Sequence, residues 1–84
     1  MSNRTLLLQA VRLAQAGDWH GAHQIAQAYS DPTAHWIHAV LHKIEGDRWN
    51  SEYWYARTGG HQYADFDSDS AAELDAIARW LTPE

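Results

Sequence analysis

The sequence predicts an all-α fold, with two antiparallel helical hairpins plus a C-terminal capping helix. Three features point there. No segment sustains apolar–polar alternation of period two, so strands are not expected. Apolar residues recur instead at helical spacing along most of the chain. Two Gly-Asp pairs mark short helix connections: Gly17 stops one helix and Asp18 caps the next, and Gly46 stops a later helix before a turn over Asp47 to Asn50. A connection so short forces the flanking helices to run antiparallel.

The first helix is expected over 5–16. Leu6, Leu7, Ala10, Leu13 and Ala14 form its apolar face, widened by Leu8 and Val11, and a face this wide implies two packing neighbours. The second is expected over 19–29, with Trp19, Ala22, Ile25, Ala26 and Tyr29 on one face and His20, His23, Gln24 and Gln27 on the other. Leu13 and Ile25 are taken as core positions. Ser30-Asp31-Pro32 supplies a cap and a proline at the first helical position, opening a third helix over 32–45. Asn50 or Ser51 is expected to cap the fourth helix, which ends at Gly59-Gly60. Residues 60–69 form a polar loop with Tyr63 and Phe66 as anchors. Ser70-Ala71-Ala72-Glu73 has the form of a capping box and opens a final helix over 70–82, with Leu74, Ile77, Ala78 and Leu81 inward, Trp80 on its flank and Pro83 as its stop. The organisation is thus one domain over 1–84: hairpin 5–29, hairpin 32–59, loop 60–69 and helix 70–82.

Composition bounds the function. The 84 residues are 45% hydrophobic and 20% charged, as in a globular domain. There is no cysteine, which excludes disulfides, thiolate metal sites and a cysteine nucleophile. No apolar run approaches the roughly 18 residues a membrane span needs. Gln9, Arg12 and Gln15 break the apolar N-terminal run at helical spacing, so it makes a poor secretory signal and the expected location is the cytoplasm. The net charge of −5 collects toward the C-terminus, where Asp65, Asp67, Asp69, Glu73, Asp75 and Glu84 face Arg79 alone. No basic patch exists to neutralise phosphates, so nucleic acid is not an expected partner.

The turn pattern repeats. Ala16-Gly17-Asp18-Trp19 and Glu45-Gly46-Asp47-Arg48-Trp49 are followed by Ala22 and Tyr53 at similar offsets. This loosely resembles the hairpins of tetratricopeptide-like proteins, although the period is shorter than their usual length of about 34 residues. A second resemblance covers about residues 17–59. Gly17-Asp18-Trp19-x-x-Ala22-His23-x-Ile25-Ala26-Gln27, Trp36-Ile37-His38-Ala39-x-Leu41-His42-x-x-Glu45-Gly46-Asp47 and Tyr53-Trp54-Tyr55 are similar to the core of a small bacterial helical family with no established activity. That resemblance implies a helical fold and a bacterial cytoplasmic source, and no mechanism. Ser51 and Thr58 stand where that pattern expects alanine.

Six histidines are a high count for this length. His35, His38, His42 and Glu45 fall at i, i+3, i+7 and i+10 on the third helix, a stripe within an arc of about 80°. Trp36, Ile37, Val40, Leu41 and Ile44 lie roughly opposite, so the stripe is expected to face solvent, a groove or a partner. His38 and His42 have the i, i+4 spacing that presents two imidazoles to one metal, with Glu45 and His35 as further ligand candidates. His20 and His23 could face the stripe from the second helix. Ala39 follows His38, so the zincin motif is absent; His42 precedes Glu45, so the di-iron motif is absent too.

Tyr53, Trp54 and Tyr55 are consecutive on a helix and point in three directions about 100° apart, so at least one should reach a surface. Trp49 joins them as a contact candidate. Serines sit at caps and loops without a nucleophile elbow, and no phosphate-binding glycine loop occurs. Whether the chain is an enzyme is left open, with a non-enzymatic role the favoured expectation. The sequence points first to a protein-interaction or adaptor module, binding a protein partner or a second copy of itself through Trp49, Tyr53, Trp54 and Tyr55. Its alternative is a metal- or small-ligand-binding domain, enzymatic or not, using His35, His38, His42 and Glu45. No cofactor is expected under the first, and a divalent metal such as zinc under the second.

Overall fold

A computed structural model describes residues 3–82 and contains five α-helices: α1 Asn3–Gln15, α2 Trp19–Ala26, α3 Pro32–Ile44, α4 Arg48–Tyr55 and α5 Ser70–Leu81. Among the described residues there is no strand. The expected stop at Pro83 lies outside the described residues.

The two Gly-Asp turns are built alike. Gly17 and Gly46 adopt left-handed φ values of 90° and 84°, which only glycine takes without strain. Asp18 N–H donates back to Leu13 O and Gly17 N–H to Ala14 O; Asp47 N–H donates to His42 O and Gly46 N–H to Lys43 O. Each turn is a Schellman stop. The same aspartate then caps the next helix, Asp18 accepting from Gly21 N–H and Asp47 from Asn50 N–H. The cap of α4 is therefore Asp47, not Asn50 or Ser51, and Trp49 lies within the helix rather than before it. Ser51 is instead buried, its hydroxyl donating to Ala39 O where α4 crosses α3. Thr58, also buried, donates to Tyr55 O.

Further boundaries differ from the sequence expectation, among them the end of α4, which falls at Tyr55 rather than at Gly59-Gly60. Helix α2 ends at Ala26, because Ala28 and Tyr29 bond back three residues and tighten the chain before Asp31 caps α3. Helix α5 is capped by Asp69, which accepts from Ala72 N–H, so Ser70 is the first helical residue and no capping box forms. In the loop, Tyr63 packs against the core while Phe66 is exposed and is no anchor.

Helix α3 is the centre of the molecule and touches the other four. Helix α2 packs on one side and α4 on another, while α5 lies on both α1 and α3. Nine of its thirteen residues are buried: Ala34, Trp36, Ile37, His38, Ala39, Val40, Leu41, His42 and Lys43. Ala10, Ala22, Ala26, Ala34 and Ala39 are fully buried, and their small side chains let the helices approach closely. This corrects the expectation that the histidine stripe faces outward. A helix with neighbours all round has no solvent face, so His38 and His42 are buried as the apolar residues are. Ile44, one turn from the end, is exposed instead. Leu13 and Ile25 are half-buried against the core rather than inside it.

Glu73 is fully buried and joins three elements. Its carboxylate accepts from Trp36 Nε1–H at 2.8 Å, Lys43 Nζ at 2.7 Å and the Tyr55 hydroxyl at 2.7 Å. A buried charge is tolerated only when paired and hydrogen-bonded, and this one has both. Burial, and then the Glu73 carboxylate, push the Tyr55 phenol far above its ordinary pKa, which keeps it a donor. The network fastens α5 to α3 and α4.

Candidate metal centre

Where α2 packs on α3, three imidazoles converge. His23 projects from α2, and His38 and His42 project from α3 one turn apart. Two tryptophans hold them. The Trp19 indole donates from Nε1 to Leu41 O at 2.7 Å, which fixes the ring across the helix interface. It stacks on His23 with centroids 4.7 Å apart and planes 10° from parallel. Trp54, from α4, stacks on His38 at 4.0 Å and 16°. His38 and His42 stack on each other at 4.9 Å. The cluster therefore sits between Trp19 and Trp54, with its side chains oriented by packing from three helices.

One ligand nitrogen from each of His23, His38 and His42 lies within 4.8 Å of the others, a group that could hold a metal ion. His23 Nε2 and His38 Nε2 are 3.0 Å apart. Two nitrogens on one tetrahedral zinc sit about 3.3–3.4 Å apart, given Zn–N bonds of about 2.0–2.1 Å. His42 Nδ1 lies 2.6 Å from Glu45 Oε1. The carboxylate only accepts, so the neutral ring carries its proton on Nδ1 and keeps the Nε2 lone pair free. A carboxylate behind a histidine in this way fixes its tautomer and raises its basicity as a ligand.

The electrostatics favour neutral rings. Burial first, and then His23, His42 and His35, lower the His38 pKa from 6.5 to about 3. His23 is also lowered, by burial first and then by His42, against an upward pull from Glu45. Neutral imidazole is the form that binds metal. His38 Nδ1 is buried without a hydrogen-bond partner, so part of that ring's capacity is unused by the protein itself.

The four ligand candidates from the sequence fare differently. His38 and His42 join the group. Glu45 stands behind His42, though it also belongs to a second group with His42 and Asp47. In that group both Asp47 oxygens already accept from Asn50, which also holds the Asp47 carboxyl below its usual pKa. His35 stacks on Trp54 at 5.1 Å and lies outside both groups. His23 takes its place. A signal for His23 was present: at 100° per residue it falls about 40° from Trp19, on the border of the α2 apolar face rather than opposite it. Of the contact candidates, Tyr55 is buried, Trp54 is half-buried against the histidines, Tyr53 is partly exposed and Trp49 is 73% exposed.

No family model, curated protein or solved structure matches the chain. No helix among the described residues is long and apolar enough to cross a membrane.

Proposed function

We propose that this protein is a small helical metal-binding domain that takes one divalent transition metal at His23, His38 and His42. The observation that carries this is the convergence of three imidazoles from two helices within ligand distance of one another. Three nitrogen donors without thiolate suit zinc and its neighbours copper(II), nickel and cobalt. Calcium and magnesium, which require oxygen ligands, are disfavoured. A bound ion ties α2 of the first helix pair to α3 of the second, so binding stabilises the fold. The like construction of the two Gly-Asp turns supports a tetratricopeptide-like pairing of the helices. The test is metal analysis of protein purified without a histidine tag and dialysed against zinc. One zinc per chain in the wild type and none in His23→Gln/His42→Gln supports the proposal; equal zinc in both, or none in either, ends it.

A second role, self-association through α4, has its own support. Trp49 and Tyr53 are exposed and stacked on each other at 5.9 Å, with the Arg57 guanidinium over Tyr53. Arg48 and Glu52 flank them, also exposed. Arg48 and Glu52 pair with each other at 3.2 Å within the helix, and two α4 helices meeting antiparallel about a two-fold axis would exchange these for Arg48–Glu52 pairs between copies, a self-complementary pattern. The occupant proposed is therefore a second copy of the chain. Sedimentation should show a dimer that Trp49→Ala weakens; a monomer at every concentration removes this role.

A further inference from the structure

We propose that a metal held by His23, His38 and His42 keeps one coordination position open to a small monodentate ligand from solution, an anion above all. This rests on the metal-binding reading above. Among the described residues, no other donor lies in the ligand group of the three imidazoles. Glu45 Oε1 is bonded to His42 Nδ1, and both Asp47 oxygens are bonded to Asn50. The His20 ring lies edge-on to Trp19 at 5.5 Å and outside the ligand group, and His35 lies on Trp54. Three ligands complete three corners of a tetrahedron and leave the fourth, which is the arrangement of open rather than closed zinc sites.

The chemistry of the fourth ligand follows from charge and space. Three neutral imidazoles leave the full charge of a dication uncompensated, and that charge dominates its surroundings. An anion is therefore favoured over a neutral donor. The approach is past His23, the half-buried member of the set, since His38 and His42 are buried. Trp19 and Trp54 wall the cluster on two sides, which restricts the ligand to a few atoms.

The experiment loads the untagged full chain with cobalt(II) and titrates it with azide, following the visible absorption. One cobalt per chain should give tetrahedral bands that shift and saturate as azide is added. His20→Ala should behave the same, because the exposed His20 takes no part. Cobalt bands that azide leaves unmoved overturn the open position while leaving the metal site standing. Bands that respond to azide only in His20→Ala also overturn it, since His20 would then be the fourth ligand. If the wild type develops no cobalt bands, the metal-binding reading itself fails, and the open position with it.

Discussion

The Nε2 atoms of His23 on α2 and His38 on α3 face each other at 3.0 Å, so the two helix pairs meet here through two imidazoles sharing one proton. A dication bound by both Nε2 atoms would require the donor ring to carry that proton on its own Nδ1 instead, and would add the His42 bond. It binds only the folded chain, because the unfolded chain does not bring the rings together. Zinc at about 100 times its Kd should then stabilise the fold by roughly 2.7 kcal/mol. For a domain of this size that raises Tm by roughly 10–20 °C. Differential scanning fluorimetry with zinc and then with a chelator measures it. A Tm indifferent to both contradicts a site that spans α2 and α3.

Stability without metal should fall as the pH drops below neutrality. The folded His38 pKa is about 3 against 6.5 for the free group, so the unfolded chain takes up its proton first. The contribution is complete above 6.5 and is lost progressively as the pH falls toward 3. Between pH 7.5 and 5.5 the loss from His38 is on the order of 1 kcal/mol. Burial is the larger cause, ahead of repulsion from the neighbouring imidazoles. Melting curves at the two pH values should show the loss in the wild type and a smaller one in His38→Gln/His42→Gln. Equal responses would make the cluster electrostatically inert.

Removing the Glu73 carboxylate should be costly. Glu73→Ala leaves Lys43 charged and buried, and leaves the Trp36 and Tyr55 donors without their acceptor. Breaking a buried pair in this way costs about 3–5 kcal/mol. Glu73→Leu with Lys43→Met removes both charges and should recover much of that loss. Urea denaturation of the single and double variants reads the difference. A Glu73→Ala cost below about 1 kcal/mol would mean that the network does not hold α5 in place.

Core truncations should rank by burial rather than by position on a helical wheel. Ile37 and Leu41 are fully buried on the central helix, and either change to Ala should cost about 2–5 kcal/mol. Leu13 and Ile25, half-buried, should each cost about 1–2 kcal/mol. Equilibrium unfolding of the four variants gives the order. Leu13→Ala costing more than Ile37→Ala would place the centre of the core on α1 instead of α3.

Most of the fold was legible because its signals are local. The Gly17 and Gly46 stops, the Asp18 and Asp31 caps, the proline that starts α3 and the apolar face of α5 each depend on a few adjacent residues and on backbone geometry. The errors at α4 and α5 were local as well. In both, an aspartate just before the helix was a better acceptor for the free N–H groups than the serine or asparagine chosen.

The sequence by itself determined the five helices, the two short turns and the presence of His38 and His42 one helical turn apart. Only the tertiary structure decided where those histidines lie and which side chains they meet. A wheel drawn for one helix assumes a single buried face, whereas α3 is enclosed by four neighbours and buries its polar stripe with its apolar one. The third imidazole comes from another helix, and its arrival depends on how α2 crosses α3. Glu73, Lys43, Trp36 and Tyr55 meet for the same reason. They lie on three helices far apart in sequence, and periodicity along one helix carries no information about which side chains of another will face it.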